Sequence, residues 1–109
     1  MKLGDIVLIP FPFAELTQLK ARPAAVLAET ADKYQDLIVT AISSVIPATL
    51  SRNEFIVLPG KENGLRVRSV VKTDRIVTTK KEQMIVHLGR LSDEDCAKLV
   101  AIFQNLVKE

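Results

Sequence analysis

A small set of polar side chains could carry chemistry in this sequence, and each lies at the end of an apolar run or beside a loop: Arg22, Ser43 and Ser44, and Lys72 with Asp74. Cationic groups suit an anion such as phosphate, while a carboxylate or hydroxyl suits proton transfer or hydrogen bonding. Taken singly, each also has a structural explanation. Arg22 fits a solvated loop residue and the serines fit caps of a strand end. Lys72 with Asp74 fits a surface ion pair worth about 0–1 kcal/mol.

The sequence lacks the residues that several other kinds of chemistry would need. It has no glycine-rich phosphate loop, no Gly-x-Ser-x-Gly and no Cys-x-x-Cys, and its one histidine, His87, cannot supply a metal cluster by itself. We therefore expect no metal and no other cofactor. The single cysteine, Cys96, cannot form an internal disulfide and fits a small buried apolar group. Aromatic residues make up only 5% of the chain, which argues against a broad platform for stacking bases.

Positive charge is concentrated in the middle of the chain. Residues 61–81 contain seven lysines and arginines against two acidic residues, whereas the whole chain has a net charge of only +2. Such a segment can bind phosphates. It can equally be a solvated strand face that uses Lys and Arg for solubility and edge protection. Charge alone favours neither interpretation.

Five apolar or β-branched runs predict the strands that must position these side chains: residues 6–9, 23–28, 37–42, 54–58 and 67–79. Proline marks the predicted strand ends, because it cannot donate to a sheet ladder. Pro10 and Pro12 are expected to end regular pairing of the first strand, and Pro23 to begin the second. Residues 14–21, between them, are expected to form a loop.

The C-terminal segment changes to a helical period. Ser92 followed by three acidic residues predicts a helix start. Apolar residues then recur at helical spacing, and we expect this stripe to pack over the sheet: Cys96, Leu99, Val100, Phe103, Leu106 and Val107. Short strands followed by one helix predict a mainly β fold, a small barrel with a C-terminal α-helix, in a single domain over residues 1–109. We expect no membrane contact and a cytoplasmic location, because no run reaches the roughly 20 apolar residues that span a bilayer and no signal-peptide core is present.

Five segments, in the same order along nearly the whole chain, resemble the MazF/PemK/Kid toxin family. Residues 4–10 (Gly-Asp-Ile-Val-Leu-Ile-Pro) are similar to its opening strand, and residues 20–27 to its Arg-Pro followed by an apolar strand. Residues 41–44 look like its small-apolar-Thr/Ser segment. Residues 69–78 look like its Ser-x-Val-x-x-Asp-x-x-x-Thr stretch, and residues 87–91 resemble the Ile-Gly-x-Leu that precedes its last helix.

The resemblance implies a five- to seven-stranded, SH3-like barrel with a C-terminal helix, usually a homodimer. It implies the toxin of a toxin–antitoxin system, which cleaves single-stranded RNA, often mRNA, at selected sequences and without a metal. Cleavage of this kind uses the neighbouring 2′-OH as nucleophile and leaves a 2′,3′-cyclic phosphate and a 5′-OH. The resemblance also implies a cognate antitoxin whose flexible tail occupies the RNA groove.

Residue roles follow from the same match to the family. Arg22 would contact the scissile phosphate and help in proton transfer, and Asp74 matches a carboxylate that acts as base in some members. Ser43 matches a catalytic Thr/Ser whose hydroxyl donates to the phosphate oxygens, with Ser44 as the alternative. Lys72 stands where some members have an arginine thought to act as acid, and lysine keeps the charge without the bidentate fork. RNA contacts are expected from six residues: Gln18, Lys20, Ser44, Lys72, Arg75 and Thr78.

Two other functions are compatible with the sequence. A non-catalytic binder on the toxin fold, either a gyrase poison or a degenerate RNA-binding module, would keep the barrel without cutting RNA. A plain SH3-like module would place Arg22, Ser43 and Asp74 more than roughly 15 Å from any shared groove, since a reacting centre must reach all its catalytic groups.

Overall fold

The protein is a curled antiparallel sheet with one C-terminal helix in its computed structural model, which describes residues 1–12 and 19–108. The elements are β1 (Asp5–Pro12), β2 (Leu19–Glu29), β3 (Leu37–Ser43), β4 (Glu54–Val57), β5 (Ser69–Thr79), a 3₁₀ turn (Lys81–Gln83), β6 (Val86–Arg90) and α1 (Asp93–Leu106). The strands follow the order β4-β5-β3-β2-β1-β6. The predicted mainly β architecture with a C-terminal helix is therefore confirmed.

The sixth strand, β6, was not predicted from the sequence. Among the described strands it forms one edge of the sheet and pairs only with β1, from Asp5–Arg90 to Leu8–Val86. Its residues are exposed or half-buried on both faces. An edge strand of this kind has no buried apolar face, so it leaves no alternating pattern in the sequence.

The first strand runs through both prolines that were expected to end it. Pro10 and Pro12 pair with Ala21 and Leu19 of β2. The Leu8 carbonyl accepts from Ile85 N on the β6 side, and backbone groups alternate in direction along a strand. The nitrogens of both prolines therefore face that same side, where pairing with β6 has already ended at Leu8. No ladder hydrogen bond is lost, so the prolines are tolerated.

Pairing with β1 also lengthens the second strand. The predicted loop extended to Ala21, whereas β2 begins at Leu19 and pairs Lys20 with Phe11. The backbone partners that β1 supplies explain the difference, because the sequence around Lys20 has no strand pattern of its own.

Side-chain alternation divides the core between the two faces of the sheet. One cluster packs against α1: Ile6, Ala25, Ile42, Phe55, Val57, Leu65, Val71, Leu91, Cys96 and Leu99. The second lies on the opposite face, over β1, β2 and β3: Val7, Ile9, Ala24, Val26, Leu37 and Val39. The central strands are thus buried on both faces, which holds them rigidly.

The helix is capped as predicted but buries a narrower stripe. Ser92 Oγ accepts from Asp95 N at 3.1 Å, and the acidic first turn complements the helix dipole. Cys96 and Leu99 are buried, whereas Phe103 and Val107 are 38% and 76% exposed. The prediction that these two residues join the buried stripe is therefore wrong. The stripe continues instead through the partly buried Ile102, which packs against the first cluster.

Gly4 should be the least replaceable residue at the start of β1. Its φ is +88°, and a Cβ added there would overlap the Cys96 sulfur. Its backbone also joins two elements, through Gly4 N to Val26 O at 2.9 Å and Leu91 N to Gly4 O at 2.8 Å. We expect Gly4→Ala to lower the free energy of unfolding by about 2–3 kcal/mol, measured by urea denaturation.

Gly60→Ala is the matched control for this prediction. A Cβ at Gly60 would meet nothing closer than 3.9 Å, and its φ is not in the left-handed range. Equal stabilities of the two variants would contradict the packing assigned to Gly4.

Candidate functional site

A split in the sheet lies between β2 and β3. The two strands pair from Glu29–Leu37 to Ala24–Ala41, yet β3 continues to Ser43 and β2 extends back to Leu19. The next hydrogen-bonded pair would include Pro23, whose nitrogen points towards β3 and carries no hydrogen. The ladder ends there because the donor is missing.

Arg22 and Ser43 flank this split. Continuing the β2–β3 register by two residues places them opposite each other. Arg22 is half-buried and pairs with Ile9 on its other side. Ser43 is half-buried and pairs with Val70 of β5. Two of the three predicted catalytic residues therefore come from neighbouring strands at one opening in the sheet.

One face of the sheet carries these side chains together with Lys72. Residues directly opposite in a sheet project from the same face. A row of such residues crosses four strands, from Glu54 through Lys72 and Ala41 to Ala24. Arg22 and Ser43 lie two residues further along β2 and β3, so they share that face. Ala41 is the one residue of this row between Lys72 and β2, and its small side chain leaves space above the sheet.

The Ser43 hydroxyl is oriented and still able to donate. Its Oγ accepts from Val45 N at 3.1 Å, which fixes the oxygen in the turn after β3. A hydroxyl has one hydrogen to donate besides its acceptor sites. Ser44 is exposed and follows the end of the strand. The register thus favours Ser43 over Ser44 as the hydroxyl beside Arg22.

Lys72 has a carboxylate partner that the sequence did not reveal as functional. Its Nζ lies 3.0 Å from Oε2 of Glu54, directly across the strand pair, and both side chains are partly buried. Ser51 N donates to the other oxygen, Oε1, at 2.8 Å. The bond from Ser51 and then the one from Lys72 lower the pKa of Glu54. The only signal in the sequence was an acidic residue at the start of an apolar strand.

Asp74 lies apart from Arg22 and Ser43. It falls in a bulge of β5, where the register with β3 shifts between Ala41–Lys72 and Thr40–Ile76. It stands four residues along β5 from Val70, the partner of Ser43, which corresponds to about 13 Å. Its side chain is exposed, and Oδ2 accepts from Asn53 Nδ2 at 3.2 Å. The structure brings Asp74 beside Lys72 and not beside the split.

The other residues predicted to contact RNA occupy different places in the structure. Lys20 is exposed on β2, two residues from Arg22 and on the same face, and Arg75 is exposed in the β5 bulge. Thr78 pairs with Ile38, whose side chain projects from the opposite face, so the structure does not bring it to this surface. Gln18 lies outside the described residues.

The described residues show neither a metal site nor a membrane-spanning helix. Across residues 1–12 and 19–108, no three His, Cys, Asp or Glu side chains are placed to hold a metal ion. His87 Nε2 donates to Gly89 O at 2.9 Å and lies 3.6 Å from Asp5 Oδ1, which is a structural arrangement at the β6 edge. None of the described helices is long and apolar enough to cross a membrane.

Comparison with known proteins agrees with the resemblance seen in the sequence. The sequence profile of the PemK-like, MazF-like toxins of type II toxin–antitoxin systems matches residues 2–107. The chain belongs to this toxin family. No curated protein sequence matches it significantly.

A solved structure has the same fold as this toxin-family chain. It is an endoribonuclease in complex with its cognate antitoxin, from a mycobacterial species, with a TM-score of 0.74 and 13% sequence identity. The match covers 96% of this chain and 92% of the other. The arrangement of six strands and a C-terminal helix is therefore shared between two proteins of very different sequence.

The ion pair between Glu54 and Lys72 should make stability depend on acidity. The pKa of Glu54 is below its ordinary value of 4.5 in the folded protein, so the pair stabilises fully above that pH. This contribution disappears as the pH falls through the lowered pKa. We expect Glu54→Gln to cost about 1–2 kcal/mol at pH 7 and less at pH 3, in urea unfolding at both pH values.

Glu82→Gln removes the same charge from an exposed position on the 3₁₀ turn and serves as control. Its unfolding free energy should follow that of the unchanged protein at both pH values. A Glu54→Gln deficit that persists undiminished at pH 3 would show that packing, rather than the ion pair, is lost.

Proposed function

We propose that this toxin is an endoribonuclease that cleaves single-stranded RNA, including mRNA, at the surface beside the β2–β3 split. The observation that carries the proposal is the placement of Arg22 and Ser43 on either side of the split, on the face that also holds Lys72. Membership of the toxin family and a fold shared with an endoribonuclease support it. Sequence selectivity belongs to the proposal, with bases bound along the same face.

The reaction uses the substrate's own nucleophile. The 2′-oxygen attacks the adjacent phosphorus while the bond to the 5′-oxygen breaks, giving a 2′,3′-cyclic phosphate and a 5′-OH. One proton leaves the 2′-OH and one is delivered to the departing 5′-oxygen. No metal is needed to generate the nucleophile, and charge on the phosphorane-like transition state is offset by fixed donors of the protein.

Arg22 and Ser43 are the groups that address the phosphate. The planar guanidinium of Arg22 can donate two parallel hydrogen bonds to non-bridging oxygens. The Ser43 hydroxyl, held by Val45 N, has its hydrogen available for a third bond. Both sit on rigid strands, and this preorganisation favours transition-state binding because little reorganisation is required.

Lys72 and Asp74 would serve a second part of the substrate or the proton transfers. Lys72 supplies a cation on the same face, and the exposed carboxylate of Asp74 can accept a proton. Both residues lie on β5, on the far side of β3 from Arg22, so an RNA strand that contacts them and Arg22 would cross β3 towards β4. Lys20 and Arg75, both exposed, would add contacts to the phosphate backbone.

Partners follow from the same proposal. The fold neighbour was solved with its cognate antitoxin, and we propose that an antitoxin segment occupies the RNA surface of this chain and blocks it. We also propose a homodimer, as the family resemblance implies, acting in the cytoplasm where its RNA is found. A dimer mass in analytical ultracentrifugation would support this, and a monomer at micromolar concentration would contradict it.

The purified protein should cut a defined single-stranded RNA in the presence of EDTA. End mapping should find 2′,3′-cyclic phosphate and 5′-OH termini at a restricted set of sequences. Arg22→Ala should lower the cleavage rate by at least about 100-fold while the fold survives, because a donor to the transition state is lost. Arg22→Lys should recover only part of the rate, since lysine keeps the charge without the fork.

Arg90→Ala is the control variant, because Arg90 is an exposed arginine on β6, at the far edge of the sheet. It should cut like the unchanged protein. RNA that is bound but left intact by the well-folded, antitoxin-free protein would reject the nuclease and favour the non-catalytic binder.

A further inference from the structure

The turn at residues 51–54, which leads into β4, is braced by its own side chains. Ser51 N donates to Glu54 Oε1 at 2.8 Å, and Glu54 N donates back to Ser51 O at 3.2 Å. Asn53 N donates to Ser51 Oγ at 3.2 Å. These bonds fix the side chains of Ser51 and Glu54 and hold the backbone of Asn53 within the turn.

This turn contacts three consecutive residues of β5. Glu54 Oε2 holds Lys72 Nζ at 3.0 Å. The carbonyl of Asn53 accepts from Thr73 N at 3.0 Å, and its side-chain amide donates to Asp74 Oδ2 at 3.2 Å. One short segment therefore holds both β5 side chains that the proposed reaction would use.

The sheet pairs Lys72 on both sides but not the next three residues of β5. The β3–β5 register passes from Ala41–Lys72 directly to Thr40–Ile76, so residues 73–75 have no paired residue in β3. On the other side, the β4–β5 ladder begins only at Glu54–Lys72. The bulge is thus fixed on its β4 side mainly by the turn, and a bulge re-aims the side chains within it.

From this geometry we infer that residues 51–54 are the positioning element of the site, with Asn53 orienting Asp74 and Glu54 orienting Lys72. The inference rests on the proposed nuclease function and extends it to residues that do not touch the reacting atoms. Asn53 and Glu54 are positioning residues, and the substrate class stays single-stranded RNA.

Each contact leaves reactive atoms available. Asn53 engages Oδ2 of Asp74, and no donor among the described residues engages Oδ1, which can accept a proton. Glu54 takes one hydrogen of the Lys72 ammonium, which leaves others for a phosphate or a leaving oxygen. The negative charge of Glu54 also reduces the electrostatic attraction of this region for RNA, whereas its hydrogen bond fixes the position of the Lys72 ammonium.

Kinetics of two variants test the inference on the full chain. Glu54→Gln should lower kcat on the order of 10- to 100-fold, because Lys72 loses its fixed position, and should lower KM, because a negative charge is removed. Asn53→Ala should lower kcat by a similar factor with KM unchanged. A purely structural role would not slow turnover while KM stays the same or falls.

Two control variants match these substitutions in chemistry. Glu82→Gln removes a carboxylate from the exposed 3₁₀ turn, and Asn105→Ala removes an exposed amide from the last turn of α1. Both should keep the kcat and KM of the unchanged protein. A fall in kcat in the controls equal to that in Glu54→Gln and Asn53→Ala would overturn the inference.

A measurement without RNA separates this inference from the nuclease proposal. Carbon relaxation by NMR in the free protein reports side-chain order at Lys72 and Asp74. Glu54→Gln should lower the order at Lys72 and Asn53→Ala the order at Asp74, with the controls unchanged. If the unchanged protein leaves RNA intact, the nuclease proposal fails, but the NMR measurement still tests the inference. Loss of side-chain order in the two variants supports the turn as the positioning element, and unaltered order overturns it.

Discussion

Pro23 has no hydrogen to donate towards β3, and the shape of the candidate site depends on that missing donor. The β2–β3 ladder stops at Ala24–Ala41, although both strands continue. A split in a sheet normally exposes backbone N–H and C=O groups that lack a hydrogen-bond partner within the sheet. Here it opens beside a guanidinium and a hydroxyl, so the exposed edge lies where an anionic ligand would be bound.

The rest of the fold keeps this opening in place. The central strands are buried on both faces, by the cluster that includes Val7 and Val26 on one side and by the cluster under α1 on the other. Close-packed interiors resist small displacements. Arg22 and Ser43 therefore extend from rigid backbone. The prolines of β1 stay within the sheet because their nitrogens face the β6 side, where pairing with β6 has already ended at Leu8.

The pair formed by Lys72 and Glu54 affects both the attraction of the site for RNA and the order of the Lys72 side chain. Lys72 contributes positive charge, yet its ammonium is held by Glu54, whose own pKa is lowered by Ser51 N and by Lys72. A partly buried pair of this kind gains more from its hydrogen bonds than an exposed one, because solvent competes less. The cost is a negative charge near a surface that would bind RNA, and the result is a cation with a defined position.

Local patterns in the sequence determined the strands with a buried face, the capped helix and the family resemblance. The β-branched run of residues 37–42 and the Ser92 cap are properties of neighbouring residues, and the structure confirms both. Only the tertiary structure decided β6, the β1 extension through Pro12, the partnership of Glu54 with Lys72 and the separation of Asp74 from the split. Each of these depends on which strands pair and where a register shifts, and pairing joins residues far apart in the chain. No short window of sequence contains that information.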